Sequence, residues 1–559
     1  MNDRSAAHGP RGASRKPDEP APPRFRRTSS FLDHLFAGSP LRARVFRLFY
    51  VGTVSSALAY QMQVTMSAWL MTTLTSSALL VALVQSASTA PSLLFGLIAG
   101  SLADIMDRRR VLLATQAVLL IATLVLAVAT LAGFIGPWSL LALTFLVGVG
   151  FTCFMPAQQA SVNDLVGRKE LPRAIALTSV AFNLARAIGP GLAGAIAAAL
   201  TTGSALLAAA IFFLPMAIAV LRWERRTPTL PGVPERLLAG VHSGLRYARH
   251  SPLMRALILR NFNFSICASA LWALLPVIAR EELGLGAGGF GLLSAAFGTG
   301  AVLSALAIPR QLHRVALNTI VTTSVMVWVV AMLLIAWTSL TPVALLGMFG
   351  CGAAWVGVYS SLGAGTQTTA PAWVRARAVA MNFVTTQGNL ALGSALWGWI
   401  ALHAGVRIAV AASAGVMLAL LLLNRGVKVR LGEEADVTPS TQVPDMGLTK
   451  VPAPTDGPVL IQIEYRVPPE SQEPFLRAIH AIERTRRRNG ASDWRVFRDL
   501  SDPNRFVERY IITSWAEYER LRSRMTMADR ALLDEVQAFQ QSDTPIRISR
   551  LIGVDPKPQ

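Results

Sequence analysis

Arg186 is the one charged residue that falls deep inside a long apolar segment of this 559-residue chain. A guanidinium taken out of water needs a carbonyl, a hydroxyl or an arriving anion beside it. Asn183, one turn earlier on the same face, extends the polar patch. Two further apolar segments carry polar residues at helical spacing: Ser56, Tyr60, Gln63 and Ser67 in one, Asn382, Thr386 and Asn389 in the other. Asn261 and Asn263 stand near one end of a third. In lipid such faces must turn to protein or to water. They read either as the lining of a cavity or as hydrogen bonds between helices. The substrate-binding candidates are therefore Arg186, Asn183, Tyr60, Gln63, Asn382 and Asn389. Mid-segment positions carry no Asp or Glu, so a proton-carrying acid is not visible. No lysine follows a glycine, which excludes a GxxxxGK[ST] phosphate loop and direct ATP hydrolysis by it. The seven histidines are scattered, without HExxH or a Cys/His cluster, so neither a metal nor a cofactor is expected. Cys153, Cys267 and Cys351 fall in apolar segments and read as small packing residues.

Composition says what must position these groups. Hydrophobic residues make up 52% of the chain and charged residues 15%, against about 25% charge in a soluble protein. Apolar length and breaks place spans near 46–72, 78–103, 111–133, 138–160, 174–200 and 203–222, then near 256–280, 288–311, 316–338, 341–365, 377–402 and 405–424. Alternate connections are basic, carrying Arg108, Arg109, Arg110, Arg173, Arg246, Arg314, Arg375 and Arg377 among others; the opposite set carries little beyond Arg280 and Arg407. The positive-inside rule puts the basic side and both termini in the cytoplasm. The net charge of +20 is thus matched to an anionic membrane surface, and nucleic acid is not expected as a partner.

A 26-residue stretch, 173–198, recurs at 377–402 without a gap. Arg173-Ala174 falls on Arg377-Ala378, Gly189 on Gly393 and Gly194 on Gly398. A duplicated half of six helices, with substrate held between the halves, is a transporter architecture. The expected organisation is a basic N-terminal tail (1–40), a six-helix half (41–222), an interhalf loop (223–255), a second half (256–424), a Pro/Thr/acidic linker (425–457) and a soluble domain (458–554). In that domain VLIQIEYRV, DWRVFRDL, RFVERYIITS and PIRISRLIG read as strands. EPFLRAIHAIERTRRR and WAEYERLRSRMTMADRALLDEVQAF read as helices, each a single element, giving a ferredoxin-like β-α-β-β-α-β order.

The loop Gly100-Ser101-Leu102-Ala103-Asp104-Ile105-Met106-Asp107-Arg108-Arg109-Arg110 resembles the signature loop of the major facilitator superfamily, departing from it at Asp107, where glycine is usual. Gly100 allows close helix approach, and Asp104 is placed to latch one conformation by pairing with Arg375 or Arg377. Gly100, Asp104, Arg108, Arg109, Arg375 and Arg377 are the gating candidates. The corresponding loop of the second half, Pro309 to Arg314, lacks the acid. Gly189-Pro190-Gly191-Leu192-Ala193-Gly194 resembles the superfamily's antiport motif, with Gly189, Pro190 and Gly194 as its key positions. With Pro156-Ala157-Gln158-Gln159-Ala160, Asp164-Leu165-Val166 and Asn183 to Pro190, the chain from about residue 40 resembles the enterobactin-exporter-like branch of that superfamily. The C-terminal segment, from Arg498-Asp499-Leu500 through Trp515 to Arg530, resembles the dimeric α+β barrels of the antibiotic-biosynthesis-monooxygenase group.

The resemblances imply an all-α twelve-helix membrane protein of two halves with a C-terminal α+β domain. They imply an inner-membrane secondary transporter exporting a siderophore- or drug-like small molecule by alternating access, with the proton as coupling ion. Uptake is one alternative reading; a transporter fused to a monooxygenase-like enzyme is the other. His480, the only histidine of the C-terminal domain, lies on a basic helix face and reads as a surface residue; the domain is read as a dimerisation or regulatory module, a homodimer being the assembly the first of these implies.

Overall fold

The computed structural model describes residues 40–167, 170–223, 245–312, 314–371, 373–427, 452–541 and 544–554. The N-terminal tail, most of the interhalf loop and linker, Arg168, Lys169 and His313 lie outside the described residues. Twelve spans follow one another. The first half is α1 (Arg44–Leu74), α2 (Ala78–Ile105), α3 (Arg108–Leu131), α4 (Pro137–Leu165), α5 (Leu171–Ala199) and the pair α6 (Thr202–Phe212) and α7 (Leu214–Leu221). The second is α8 (Pro252–Val277, continued by a π-helical turn Ile278–Glu282), α9 (Ala287–Leu312), α10 (Leu317–Trp337), α11 (Thr341–Thr369), α12 (Arg375–Ala404) and α13 (Val406–Leu423). Ten are long and apolar enough to cross a membrane on length and hydropathy alone. The other two, α1 and α12, are 31 and 30 residues long and are the helices whose polar faces were noted above.

One span differs from expectation. The sixth span is broken at Phe213, because Pro215 in the first turn of α7 has no N–H to continue the ladder. The sixth-span pieces still run end to end as one crossing. Asp107, the departure from the superfamily loop, has a local cause: it is the N-cap of α3, its carboxylate accepting from the Arg110 N–H at 3.0 Å.

The duplication is visible in the packing. Each half's fifth helix lies on its own first helix and on the partner half's second. A Cβ on Gly189 of α5 would stand 2.8 Å from Gln61 Cβ on α1; Gly393 of α12 meets Ser269 and Ile266 on α8. Gly194 of α5 meets Gly291 on α9, and Gly398 of α12 meets Ala82 on α2. α5 runs unbroken through Pro190, so the motif acts here through close approach.

These contacts seal one side only. Along α2 and α12 the spacing opens toward the basic side: Gly398 is in tight contact with Ala82, a Cβ on Gly388 would lie 3.0 Å from Leu93, one on Gly96 3.9 Å from Val384, and one on Gly100 would meet nothing within 4 Å. The close helix approach expected at Gly100 is therefore absent in this conformation. On the opposite side Trp69 of α1 stacks on Phe290 of α9 at 5.7 Å, and Arg280 donates to the Thr72 carbonyl across the halves.

The C-terminal domain is a four-stranded antiparallel sheet of β1 (Val459–Arg466), β2 (Ser492–Arg498), β3 (Arg505–Ile512) and β4 (Arg547–Ile552), in the order β2-β3-β1-β4. Val459 pairs with Ile512 and with Ile552, fixing the central strand's register. α14 (Gln472–Asn489) lays Phe475, Ile479 and Ile482 on the sheet. The second helix, expected as one element, is two: α15 (Trp515–Ser523) and α16 (Met527–Gln537). Thr526 caps α16 in a reciprocal box with Asp529, which starts a new helix and ends the old one.

Candidate functional site

Where the halves meet beneath the seal, three of the polar side chains converge. Arg186 of α5 interacts electrostatically with the hydroxyls of Tyr60 on α1 and Tyr359 on α11, one from each half. Arg186 is half-buried and, among the described residues, makes no ion pair. Tyr60 is held flat by Phe151 of α4, ring on ring at 3.7 Å and 6°, and its hydroxyl donates to the Ser88 carbonyl at 3.4 Å. Tyr359 packs against Trp355 at 4.5 Å and Phe264 at 5.5 Å, and Trp355 in turn meets Trp272 at 5.7 Å. The Tyr359 hydroxyl lies beside Thr386 and Ser265, yet forms no hydrogen bond of good geometry among the described residues. A cation, two phenols and an indole wall make a site suited to a small organic anion with aromatic or flat apolar parts.

The other candidates divide. Asn183 is exposed on α5, one turn from Arg186. Gln63 is fully buried, donates to Ser67 at 2.9 Å and leaves its own carbonyl oxygen without a partner among the described residues. Ser56 turns to α3, donating to Gln116 at 2.9 Å. Asn382 and Asn389 are built into links between helices. Asn261 of α8 donates to the Asn382 carbonyl at 2.9 Å and contacts its side-chain oxygen, Asn382 donates to Thr366 of α11 at 2.6 Å, and Thr386 donates to Asn261 at 3.1 Å. Asn389 donates to Ser265 at 2.9 Å. These bonds tie α12 to α8 and α11, the second of the two readings given for such stripes.

Arg186 is not alone as a charge within a span. Arg260 of α8 is 6% exposed and donates to the Asn424 and Val427 carbonyls at 3.2 and 2.9 Å. It lies toward the basic end of α8, where its guanidinium is held by the turn that follows α13. Of the gating set, Arg108 pairs with Asp164 at 2.9 Å and donates to the Ala160 carbonyl at 3.0 Å, while Arg109 donates to the Val220 and Leu221 carbonyls at the end of α7. Arg375 donates to the Ala370 carbonyl at 3.2 Å. The Asp104 side chain lies outside what is described, so the latch to Arg375 or Arg377 stays an expectation.

Sequence reasoning missed Tyr359. A tyrosine in an apolar helix rich in Gly and Ala looks like core, and only the fold brings it to Arg186. In the C-terminal domain it missed a buried carboxylate: Glu508 accepts from Arg486 at 2.9 Å, Trp494 at 2.9 Å and Tyr465 at 3.1 Å. The alternation of β3, burying Phe506, Glu508 and Tyr510 on one face, was the available signal. Burial and the Glu508 carboxylate hold the Tyr465 phenol well above its ordinary range; burial would lower the Arg486 guanidinium, but Glu508 keeps it raised. His480 is exposed, its Nδ1 2.7 Å from the Leu476 carbonyl oxygen.

The comparisons with known proteins agree with this architecture. Residues 36–558 match the transmembrane secretion effector family. An enterobactin exporter, EntS, of Citrobacter koseri is 30% identical over 432 residues, 72% of this chain and 93% of that protein. The multidrug efflux pump Tap of Mycolicibacterium fortuitum is 32% identical over 201 residues, 34% of this chain, and the chain spans about half of that pump's length (49%). Among solved structures, a bacterial homologue of the human lysosomal transporter Spinster in its inward-facing, occupied conformation superposes with a TM-score of 0.58 at 13% identity, covering 71% of this chain and all of that one. The chain belongs to the transmembrane secretion effector family of major facilitator transporters.

Proposed function

We propose that the protein exports a small organic anion, siderophore- or drug-like, from the cytoplasm by alternating access, in exchange for protons. The observation that carries the reading is Arg186, a half-buried guanidinium with no carboxylate partner among the described residues, within electrostatic reach of a tyrosine of each half. A buried cation without an anion is costly, and an anionic substrate group is the partner that offsets it. The basic side is the cytoplasmic side, so the conformation described faces inward and is closed outward by the α5–α9 and α2–α12 glycine contacts. Closing the basic side over a bound substrate while the glycine seal parts would deliver it outward. The efflux names carried by its relatives support the export direction.

We read 41–222 and 256–424 as two rocking halves, a reading that the duplicated packing of α5 and α12 supports. For the C-terminal domain we favour a role other than catalysis, because the Glu508 carboxylate at its interior is enclosed by Arg486, Trp494 and Tyr465. Efflux from cells loaded with a panel of siderophores and amphipathic drugs tests the reading. The wild type should lower accumulation of at least one anionic compound, and Arg186→Ala or a protonophore should abolish that. Loss of one charge-assisted hydrogen bond, about 1.5–3 kcal/mol, corresponds to about a 10–150-fold weaker substrate affinity. Higher accumulation in the wild type would establish uptake instead, and equal efflux by Arg186→Ala would remove that residue from the site.

A further inference from the structure

Arg186 is a charge whose side of the membrane is set by which end of the transporter is open. It stands fifteen residues after Leu171 and thirteen before Ala199 in α5, so about 20 Å of helix separates it from either surface. The span helices hold two acids, Asp104 and Asp164, each in the last turn of its helix on the basic side. Glu281 and Glu282 lie in the π-helical turn at the opposite surface, where Glu282 pairs with Arg407 at 2.6 Å. The other cation within a span, Arg260, is tied to the Asn424 and Val427 carbonyls of its own half at the basic end, and it stays on that side in either conformation. At mid-membrane depth the sequence places no acid, so the guanidinium of Arg186 carries one uncancelled positive charge.

A membrane potential falls across the dry part of its path, and water carries the potential of whichever side it enters from. Here the dry part is the seal. Gly194 meets Gly291 eight residues beyond Arg186, two helical turns nearer the outer surface, and Trp69 stacks on Phe290 at 5.7 Å. The helices spread toward the basic side, so Arg186 takes the cytoplasmic potential. When the seal parts and the basic side closes, the same guanidinium takes the outer potential. The charge thus crosses the field although it stays at the same depth.

We propose that Arg186 makes the substrate-free transporter voltage-sensitive: an inside-negative potential holds it facing inward, and a bound monoanion cancels the charge and releases it. The proposal rests on the alternating-access reading above. One charge moved through 100 mV changes a two-state ratio about 50-fold if the whole drop falls across the seal, and about sevenfold for half of the drop. A carrier loaded with a monoanion is neutral at the site and turns outward free of the potential. After release the bare guanidinium is drawn back to the negative side. Each cycle of export then carries one negative charge outward, so the potential drives export alongside the exchange of protons, acting at the return of the substrate-free carrier.

The test uses the full chain in right-side-out membrane vesicles, with Cys153→Ala, Cys267→Ala and Cys351→Ala. The reporter is Phe290→Cys, at a seal position that is 4% exposed. A membrane-impermeant maleimide added outside reads how often the seal parts, scored on the purified chain, and potassium gradients with valinomycin set the potential. No substrate is added, so the result does not depend on the direction of transport. Going from 100 mV inside-negative to zero should raise the labelling rate about fivefold or more. Arg186→Gln should label at one rate at every potential, and Arg186→Lys, which keeps the charge, should keep the voltage dependence. Gly194→Ala, whose methyl carbon would press on the Gly291 backbone, supplies the outward-open reference. Equal labelling of the Arg186 chain at both potentials, with Gly194→Ala labelled, would overturn the proposal and leave alternating access standing. Voltage dependence that persists in Arg186→Gln would overturn it too, placing the sensing charge elsewhere. No labelling even in Gly194→Ala would overturn it together with the reading of the α5–α9 contact as a seal that parts.

Discussion

Replacing Gly194 by alanine should open the seal. The added methyl carbon would sit 2.7 Å from Gly291 Cα and 2.9 Å from the Ala287 carbonyl oxygen, both backbone atoms of the facing helix. Backbone on both sides leaves no flexible side chain to yield, and the reciprocal contact, Gly291 against Gly194 Cα at 2.8 Å, shows that the approach is mutual. Overpacking of this kind costs about 1–3 kcal/mol. That cost falls only on the conformation in which α5 and α9 touch, so it becomes a shift of about 5–150-fold toward the conformation in which they separate. Spin labels at Phe134→Cys and Leu340→Cys, exposed positions on the opposite side of the first and second halves, would read it as growth of a long-distance component. Unchanged distances in a variant of wild-type thermal stability would refute the argument that closure rests on this backbone contact.

Other outcomes follow from the same geometry. Gly100→Ala meets nothing here, so it should leave the open basic side intact and oppose its closure, shifting the distances between spin labels at Met106→Cys and Thr368→Cys, both exposed on the basic side, in the direction opposite to Gly194→Ala; a shift in the same direction would rule out a gating role for Gly100. Glu508→Gln strands Arg486 in the core of the C-terminal domain, a loss of about 3–5 kcal/mol, and should abolish hydrogen-exchange protection across Arg505–Ile512 in the full chain while sparing the spans. Burial would raise the Glu517 carboxyl, but Arg524, with hydrogen bonds from Arg246 and Arg520, holds it below its ordinary value. Its ion pair with Arg246 of the membrane part, at 2.9 Å, is therefore complete above the ordinary carboxylate value of about 4.3 and is lost as the pH falls through the depressed one. Distances between spin labels at Thr368→Cys and His480→Cys, both exposed, should broaden on acidification through that window and should do so no further in Glu517→Gln.

The spans were legible because bilayer thickness fixes their length and because glycine, proline and arginine punctuate them. The paired glycines were legible as a repeat, and the structure gives the repeat its meaning: both copies press a glycine face on the partner half. Asn382 and Asn389 were visible only as polar residues on a helix face, and spacing cannot tell a cavity wall from a cross-link. Tyr359 and the stacking of Arg524 on Trp373 were not legible at all, since each contact is made with a residue more than a hundred positions away. The division of the last long helix was available in Thr526-Met527-Ala528-Asp529, a capping signal inside an otherwise continuous helical pattern.

The exchange of second and fifth helices between halves has a consequence for how the chain is made. Gly194 and Gly291 are 97 residues apart in the sequence, and Ala82 and Gly398 are 316 apart. At roughly 5–20 residues per second of synthesis, α5 waits on the order of 5–20 s in the bilayer for its partner, and α2 waits on the order of 15–60 s. During that interval the first half is inserted yet carries an uncovered face of glycine and small residues, so assembly of the transporter is completed only after the last helices have left the ribosome.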